Sequence, residues 1–171
     1  MSGPVRDEDG APVRAVVALG ANLGDREATL RAAIGDLAGV AGVSILAASV
    51  PIASVAVTLD GLDESKPEYL NGVALLETTL GAEALLDELN RIEDAHGRVR
   101  EERWGDRTLD LDLIVHGDTV SDTERLILPH PRAAERTFVL EPWLEVDPEA
   151  TLAGARVADL LAALRSSEAR R

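Results

Sequence analysis

The 171-residue chain contains no cysteine, a single lysine and only four aromatic rings. Without cysteine there is no disulfide framework and no thiolate metal site or thiol nucleophile. The formal net charge of −14 excludes a surface that gathers nucleic acid or anionic membrane non-specifically, because a phosphate backbone is repelled at long range. No apolar run approaches the 18 or so residues of a membrane span, and the N-terminus lacks an apolar signal segment. The chain therefore reads as soluble and cytoplasmic. Hydrophobic residues make up 46% and charged residues 28%, ordinary globular usage, so one domain over residues 1–171 is expected, with 1–12 frayed.

Patterning along the chain places the elements. Ala15 to Leu19 reads as a strand, and Gly20 to Asp25 as a structural β-to-α turn with Asp25 as N-cap of a helix to about residue 38. Val43 to Ile52 reads as one strand, and 53–67 as a strand end feeding a loop. Tyr69 to Thr79 is a third strand, a helix runs from about Gly81 to Ala95, and Gly97 stops it. Leu109 to Val115 is a strong strand followed by a turn at His116-Gly117-Asp118. Leu126 to Leu128 is a short strand, Arg132 to Arg136 one helical turn, and Val157 to Leu164 a closing helix. Strand, helix, strand, strand, helix, strand is the order of an α+β, ferredoxin-like split βαβ core: an antiparallel sheet with helices packed on its faces and additions at the C-terminal end.

The feature that composition does not explain is Asp110-Leu111-Asp112. On an extended chain both carboxylates point to one face and Leu109, Leu111 and Leu113 to the other. Like charges side by side at a core edge repel, so either a cation sits between them or they form a solvated edge. Four arginines, Arg98, Arg100, Arg103 and Arg107, lie immediately upstream among three acids, a positive patch in an acidic protein. Carboxylates that hold Mg²⁺ and arginines that grip phosphate together suggest metal-assisted phosphoryl-type transfer. His130, between two prolines, is either a turn residue or a pre-positioned phosphate contact, while His96 and His116 read as surface or turn residues. Tyr69, Trp104 and Phe138 fall beside polar segments, where rings can stack on a flat heterocycle, and Asn71 shares the strand face of Tyr69.

These residues, with Ala18-Leu19-Gly20-Ala21-Asn22-Leu23-Gly24-Asp25, Tyr69-Leu70-Asn71, Arg91-Ile92-Glu93, Arg98-Val99-Arg100, the string Arg103-Trp104-Gly105-Asp106-Arg107-Thr108-Leu109-Asp110-Leu111-Asp112 and Leu128-Pro129-His130, resemble the 6-hydroxymethyl-7,8-dihydropterin pyrophosphokinase family. The resemblance implies ATP-dependent transfer of a diphosphate to the pterin hydroxymethyl oxygen, releasing AMP, in folate biosynthesis. It implies catalytic roles for Arg98, Arg107, Asp110 and Asp112, with two Mg²⁺ ions on the aspartates. Asn90, Arg100, Arg103, Leu113, His130 and Arg136 would bind ATP, and Tyr69, Asn71, Trp104 and Phe138 would hold the pterin. Glu93 would support the metal-holding residues rather than bind the ion.

The chain departs from the family pattern at Ile52 to Gly61, where an aromatic-x-Thr-x-Pro-x-Gly stretch is usual. It also carries Glu101 and Glu102 in a shortened arginine loop, from which fewer phosphate contacts are expected. Loops at 53–67 and 97–106 are expected to close over the substrates. The protein is expected to be a monomer binding neither nucleic acid nor membrane. Two rivals are a non-catalytic small-molecule sensor on the same core and a Mg²⁺-nucleotide transferase with another acceptor.

Overall fold

The computed structural model describes residues 11–22, 25–54, 57–58, 61–62, 69–97 and 109–169. Strand β1 (Val13–Ala21) leads into helix α1 (Arg26–Ala38), whose start is fixed by the Asp25 carboxylate accepting the Ala28 N–H at 3.1 Å. A side-chain acceptor at this position satisfies one of the orphan amides of the first turn. Strands β2 (Val43–Ala48) and β3 (Ile52–Ser54) follow, then a small hairpin of β4 (Val57–Thr58) and β5 (Gly61–Leu62). The long strand β6 (Tyr69–Thr78) precedes helix α2 (Ala82–Ala95), and strand β7 (Asp110–His116) completes the sheet.

Strand order is β2-β6-β1-β7, with β3 also paired to β6, and every pairing is antiparallel. With α1 and α2 as the crossovers this is the expected ferredoxin-like split βαβ core. The C-terminal additions are a hairpin of β8 (Ser121–Asp122) and β9 (Ile127–Leu128), a 3₁₀ turn (Ala133–Glu135), helix α3 (Thr137–Val146), a hairpin of β10 (Thr151–Leu152) and β11 (Ala155–Arg156), and helix α4 (Val157–Ala169). Among the described residues no helix is long and apolar enough to cross a membrane.

Strand alternation sorts the core into two layers. One face of the sheet presents Ala15, Val17 and Leu19 with Leu76, Leu111 and Leu113. It packs on Leu30, Ala33 and Leu37 of α1 and on Leu85, Leu89 and Ile92 of α2. Those helical positions recur at three- and four-residue spacing, the pattern that puts them on one stripe. The other face presents Val16 and Ala18, Val73 and Leu75, and Ile114, and is covered by α3 and α4 through Val139, Leu140, Trp143, Val157 and Leu161.

Several sequence expectations need correction. The single strand expected over 43–52 is two strands, because Pro51 has no N–H to give the ladder. In the gap Ser49 keeps pairing with Val73: its N–H donates to the Val73 carbonyl at 2.9 Å and its Oγ accepts the Val73 N–H at 2.9 Å. His116 is not a surface or turn residue. It ends β7 at 2% exposure, its Nε2 donating to the Leu80 carbonyl at 2.7 Å and its Nδ1 accepting from the Thr119 hydroxyl at 3.0 Å. Helix α3 was not anticipated, since Pro142 within it masks the helical period. Gly20 and Ala21 belong to β1 rather than to the turn that follows.

Candidate active site

The α3/α4 face of the sheet stops being apolar at one end, and all three central strands change character in register. Ala18 of β1 lies between Val73 of β6 and Asp112 of β7, and the next same-face residue, Gly20, lies between Asn71 and Asp110. The middle strand thus contributes a methyl and then no side chain, which leaves a trough walled by Tyr69 and Asn71 on one side and the two aspartates on the other. Ser54 from β3 and Arg136, Phe138 and Val139 from the start of α3 close it into a cavity of about 210 Å³. A Cβ on Gly20 would come within 3.3 Å of Asn71 Oδ1 and 3.7 Å of the Tyr69 ring. The glycine is what lets the cavity reach the sheet.

Asp110 and Asp112 are half-buried on the same face, while Leu109, Leu111 and Leu113 are buried on the other. Between them, the Leu111 N–H donates to Oε2 of Glu93 at 3.0 Å. Glu93, 4% exposed on α2, therefore braces the strand carrying both aspartates from behind the sheet. The Arg136 guanidinium reaches Asp112, Nη1 to Oδ2 at 3.6 Å, and lies 5.8 Å from the centre of the Phe138 ring.

Around the outer edge of β7 lies a second cavity of about 280 Å³, with Leu111, Leu113, Leu126 and Pro131 among its apolar wall and Asp112, Glu124, Arg125 and His130 as polar groups. Asp112 lines both cavities. The segment leading to His130 enters through a cis Leu128–Pro129 bond and is tied to β7 by the His130 N–H on the Ile114 carbonyl at 2.9 Å. The ring's Nδ1 accepts the Arg132 N–H at 3.2 Å, which leaves Nε2 to carry the proton of the neutral imidazole. Burial pushes the His130 pKa below its ordinary value. The negative charge of Asp112 opposes that shift, and the cations Arg136 and Arg132 add to it.

Of the residues singled out from the sequence, Tyr69, Asn71, Asp110, Asp112, Arg136 and Phe138 share the first cavity, and Leu113, His130 and Asp112 the second. Asn90 is half-buried on α2, one turn beyond Leu86, which also lines the second cavity. Arg98, Arg100, Arg103, Trp104 and Arg107 lie outside the described residues, as do most of the two segments expected to close. Leu86, Arg125 and Ser54 are among the lining residues that the sequence does not single out. Leu86 carries no sequence signal beyond helical spacing, Arg125 reaches the second cavity only because β8 and β9 pair, and Ser54 only because β3 returns beside β6.

Oxygen donors with no sulfur and no second imidazole suit Mg²⁺. Among the described residues no group of three or more potential ligands converges. Two half-buried carboxylates fit an ion that completes its shell with substrate oxygens and water, rather than one caged by protein.

Residues 16–148 match the family model described as 7,8-dihydro-6-hydroxymethylpterin-pyrophosphokinase. The chain belongs to this pyrophosphokinase family. Among its relatives named 2-amino-4-hydroxy-6-hydroxymethyldihydropteridine pyrophosphokinase, the Synechocystis protein is 42% identical over 135 residues, 79% of this chain and 67% of its own length. The Methylorubrum extorquens protein is 39% identical over 155 residues, 90% of this chain and 95% of its own length. Among solved structures, the wild-type Plasmodium falciparum HPPK-DHPS crystallised with pteroate aligns at a TM-score of 0.73 and 12% identity, covering 94% of this chain and 46% of that one. This chain spans less than half of that longer polypeptide, and the likeness shows a shared fold.

Proposed function

We propose that the first cavity holds 6-hydroxymethyl-7,8-dihydropterin and the second holds ATP, so that the two substrates meet at Asp112. The protein is an ATP-using pyrophosphokinase of folate biosynthesis: the pterin hydroxymethyl oxygen bonds to the β-phosphorus, the bond to the α-phosphate oxygen breaks, and AMP leaves. The observation that carries the arrangement is that Asp112 lines both cavities.

Asp110 and Asp112 would hold two Mg²⁺ ions. Bound there, Mg²⁺ would supply charge neutralisation to the triphosphate, and the two carboxylates would fix where that charge sits. Arg136, whose guanidinium stands 3.6 Å from Asp112, would donate to a phosphate oxygen of ATP. His130 would donate from Nε2 to a phosphate oxygen, its tautomer fixed by the Arg132 amide. Arg100, Arg103, Asn90 and Leu113 would complete the ATP site, and Arg98 and Arg107 would stabilise the transferring phosphates. Tyr69 and Asn71 would meet the pterin edge, with Phe138 and Trp104 sandwiching its plane. The chain would act as a single cytoplasmic domain and as a monomer, its net charge of −14 keeping nucleic acid away.

The test is incubation of the purified protein with ATP, Mg²⁺ and 6-hydroxymethyl-7,8-dihydropterin. Pterin-dependent AMP is expected; ADP, or no pterin-dependent turnover, overturns the assignment.

A further inference from the structure

The polar end of the first cavity has a direction built into it. Asn71 is 6% exposed, and its Nδ2 donates to Ser54 Oγ at 2.6 Å, with the Tyr69 and Ile52 carbonyls further off at 3.4 and 3.5 Å. Carbonyl oxygens only accept, so the amino end of the amide belongs on this side. The two carbonyls sit at the limit of hydrogen-bond reach, whereas the Ser54 contact is short. The amide oxygen is thereby turned the other way, over Gly20, where a Cβ would lie 3.3 Å from it. In accepting from Asn71, the Ser54 hydroxyl keeps its own hydrogen to donate, and Ser54 itself lines the cavity.

We infer that Ser54 is a positioning residue for substrate recognition: it locks the Asn71 amide so that Oδ1 presents an acceptor to the cavity, selecting a heterocycle edge that bears a ring N–H. The inference rests on the reading of this cavity as the pterin site. A pterin in its lactam form carries such an N–H beside the 4-carbonyl, whereas a 2,4-diamino analogue has no hydrogen on the equivalent ring nitrogen. A site built around a hydrogen bond rejects a ligand that leaves its buried polar group unpaired. Without Ser54 the amide can rotate and present its amino end, and the rejection weakens.

The test measures binding of the lactam pterin and of its 2,4-diamino analogue to the full chain by calorimetry, together with KM and kcat. For Ser54→Ala the pterin Kd and KM are expected to rise about tenfold, the loss of roughly one hydrogen bond, with kcat changed far less. The ratio of analogue to pterin Kd should shrink. Ser54→Thr and Ser54→Val have one shape and differ in the oxygen, so they separate the hydroxyl from any effect on folding. At matched Tm, Thr should restore the wild-type ratio and Val should not. Equal ratios in Thr and Val, or a wild-type ratio in Ser54→Ala, overturn the role of Ser54 while leaving the pterin site intact. A wild-type protein that binds no pterin overturns the reading of the cavity, and this inference with it.

Discussion

The two faces of the sheet are built from the same strands and end differently. Towards α1 and α2 the side chains stay apolar at the end where the other face turns polar, Leu19 and Leu111 continuing the layer that Val17 and Leu113 begin. Towards α3 and α4 the same three strands run from Val16, Leu75 and Ile114 to Gly20, Asn71 and Asp110. Period-two alternation lets one strand serve both purposes, because changing every second residue re-equips one face and leaves the other untouched. The teaching is that Asp110 and Asp112 cost the core little. Their desolvation falls on a face already open, while Leu111 between them anchors the strand from behind.

The largest effect that sharpens this contrast is on catalysis. Asp110→Asn and Asp112→Asn keep shape and remove charge, and each should lower AMP formation by roughly a thousandfold, the scale of losing a metal-held electrostatic contribution. Their urea midpoints should stay near wild type. Turnover within tenfold of wild type would make the pair a solvated edge after all. The opposite face should respond in the opposite sense: Leu89→Ala, fully buried under the sheet, should cost about 2–5 kcal/mol in urea unfolding. The folded fraction of that variant should retain the wild-type KM for both substrates.

A smaller effect is expected where the trough meets the sheet. In Gly20→Ala the new methyl would come within 3.3 Å of Asn71 Oδ1, closer than most side chains tolerate, and would narrow the trough. The KM for pterin should rise about tenfold, on the scale of a hydrogen bond and a few packing contacts. The Kd for a non-hydrolysable ATP analogue should not change. An equal loss on both substrates would show that the two cavities are not separate sites.

How much of this was legible beforehand follows from the same contrast. The sheet order could be inferred because hydrophobic periodicity marks each core strand, and the Asp25 cap and the Asp110/Asp112 alternation are local patterns. Three features were not local. The break at Ser49 depends on a side chain standing in for a backbone pairing partner of Val73. His116 looked like a turn residue because the buried acceptor that satisfies it, the Leu80 carbonyl, is 36 residues away. Helix α3 carries a proline six positions in, and it forms because Val139, Leu140 and Trp143 are covered by tertiary packing rather than by propensity. Ser54 likewise enters the cavity only through the pairing of β3 with β6. The stretch from Ile52 that departs from the family pattern is thus where sequence said least.

The smallest effect concerns His130, which lines the second cavity within reach of the charge of Asp112. Burial lowers its folded pKa below the ordinary value of 6.5, with Arg136 and Arg132 pushing the same way and Asp112 partly opposing them. A histidine whose folded pKa is depressed binds its proton more readily when unfolded, so folding releases that proton at acidic pH. Its contribution is fully present above the unfolded pKa and is lost as pH falls through the folded value. Stability should therefore be flat with respect to this group above about pH 7 and decline below 6.5, with only a modest slope because the ring is half-exposed. In His130→Gln that part of the decline should disappear, read as the difference in Tm between the two proteins from pH 7 to pH 5. Bound triphosphate should act in the reverse direction, since added negative charge favours the imidazolium and raises the pKa. A His130 NMR titration midpoint that does not move upward when an ATP analogue is added would separate this ring from the phosphates and return it to the apolar edge of β7.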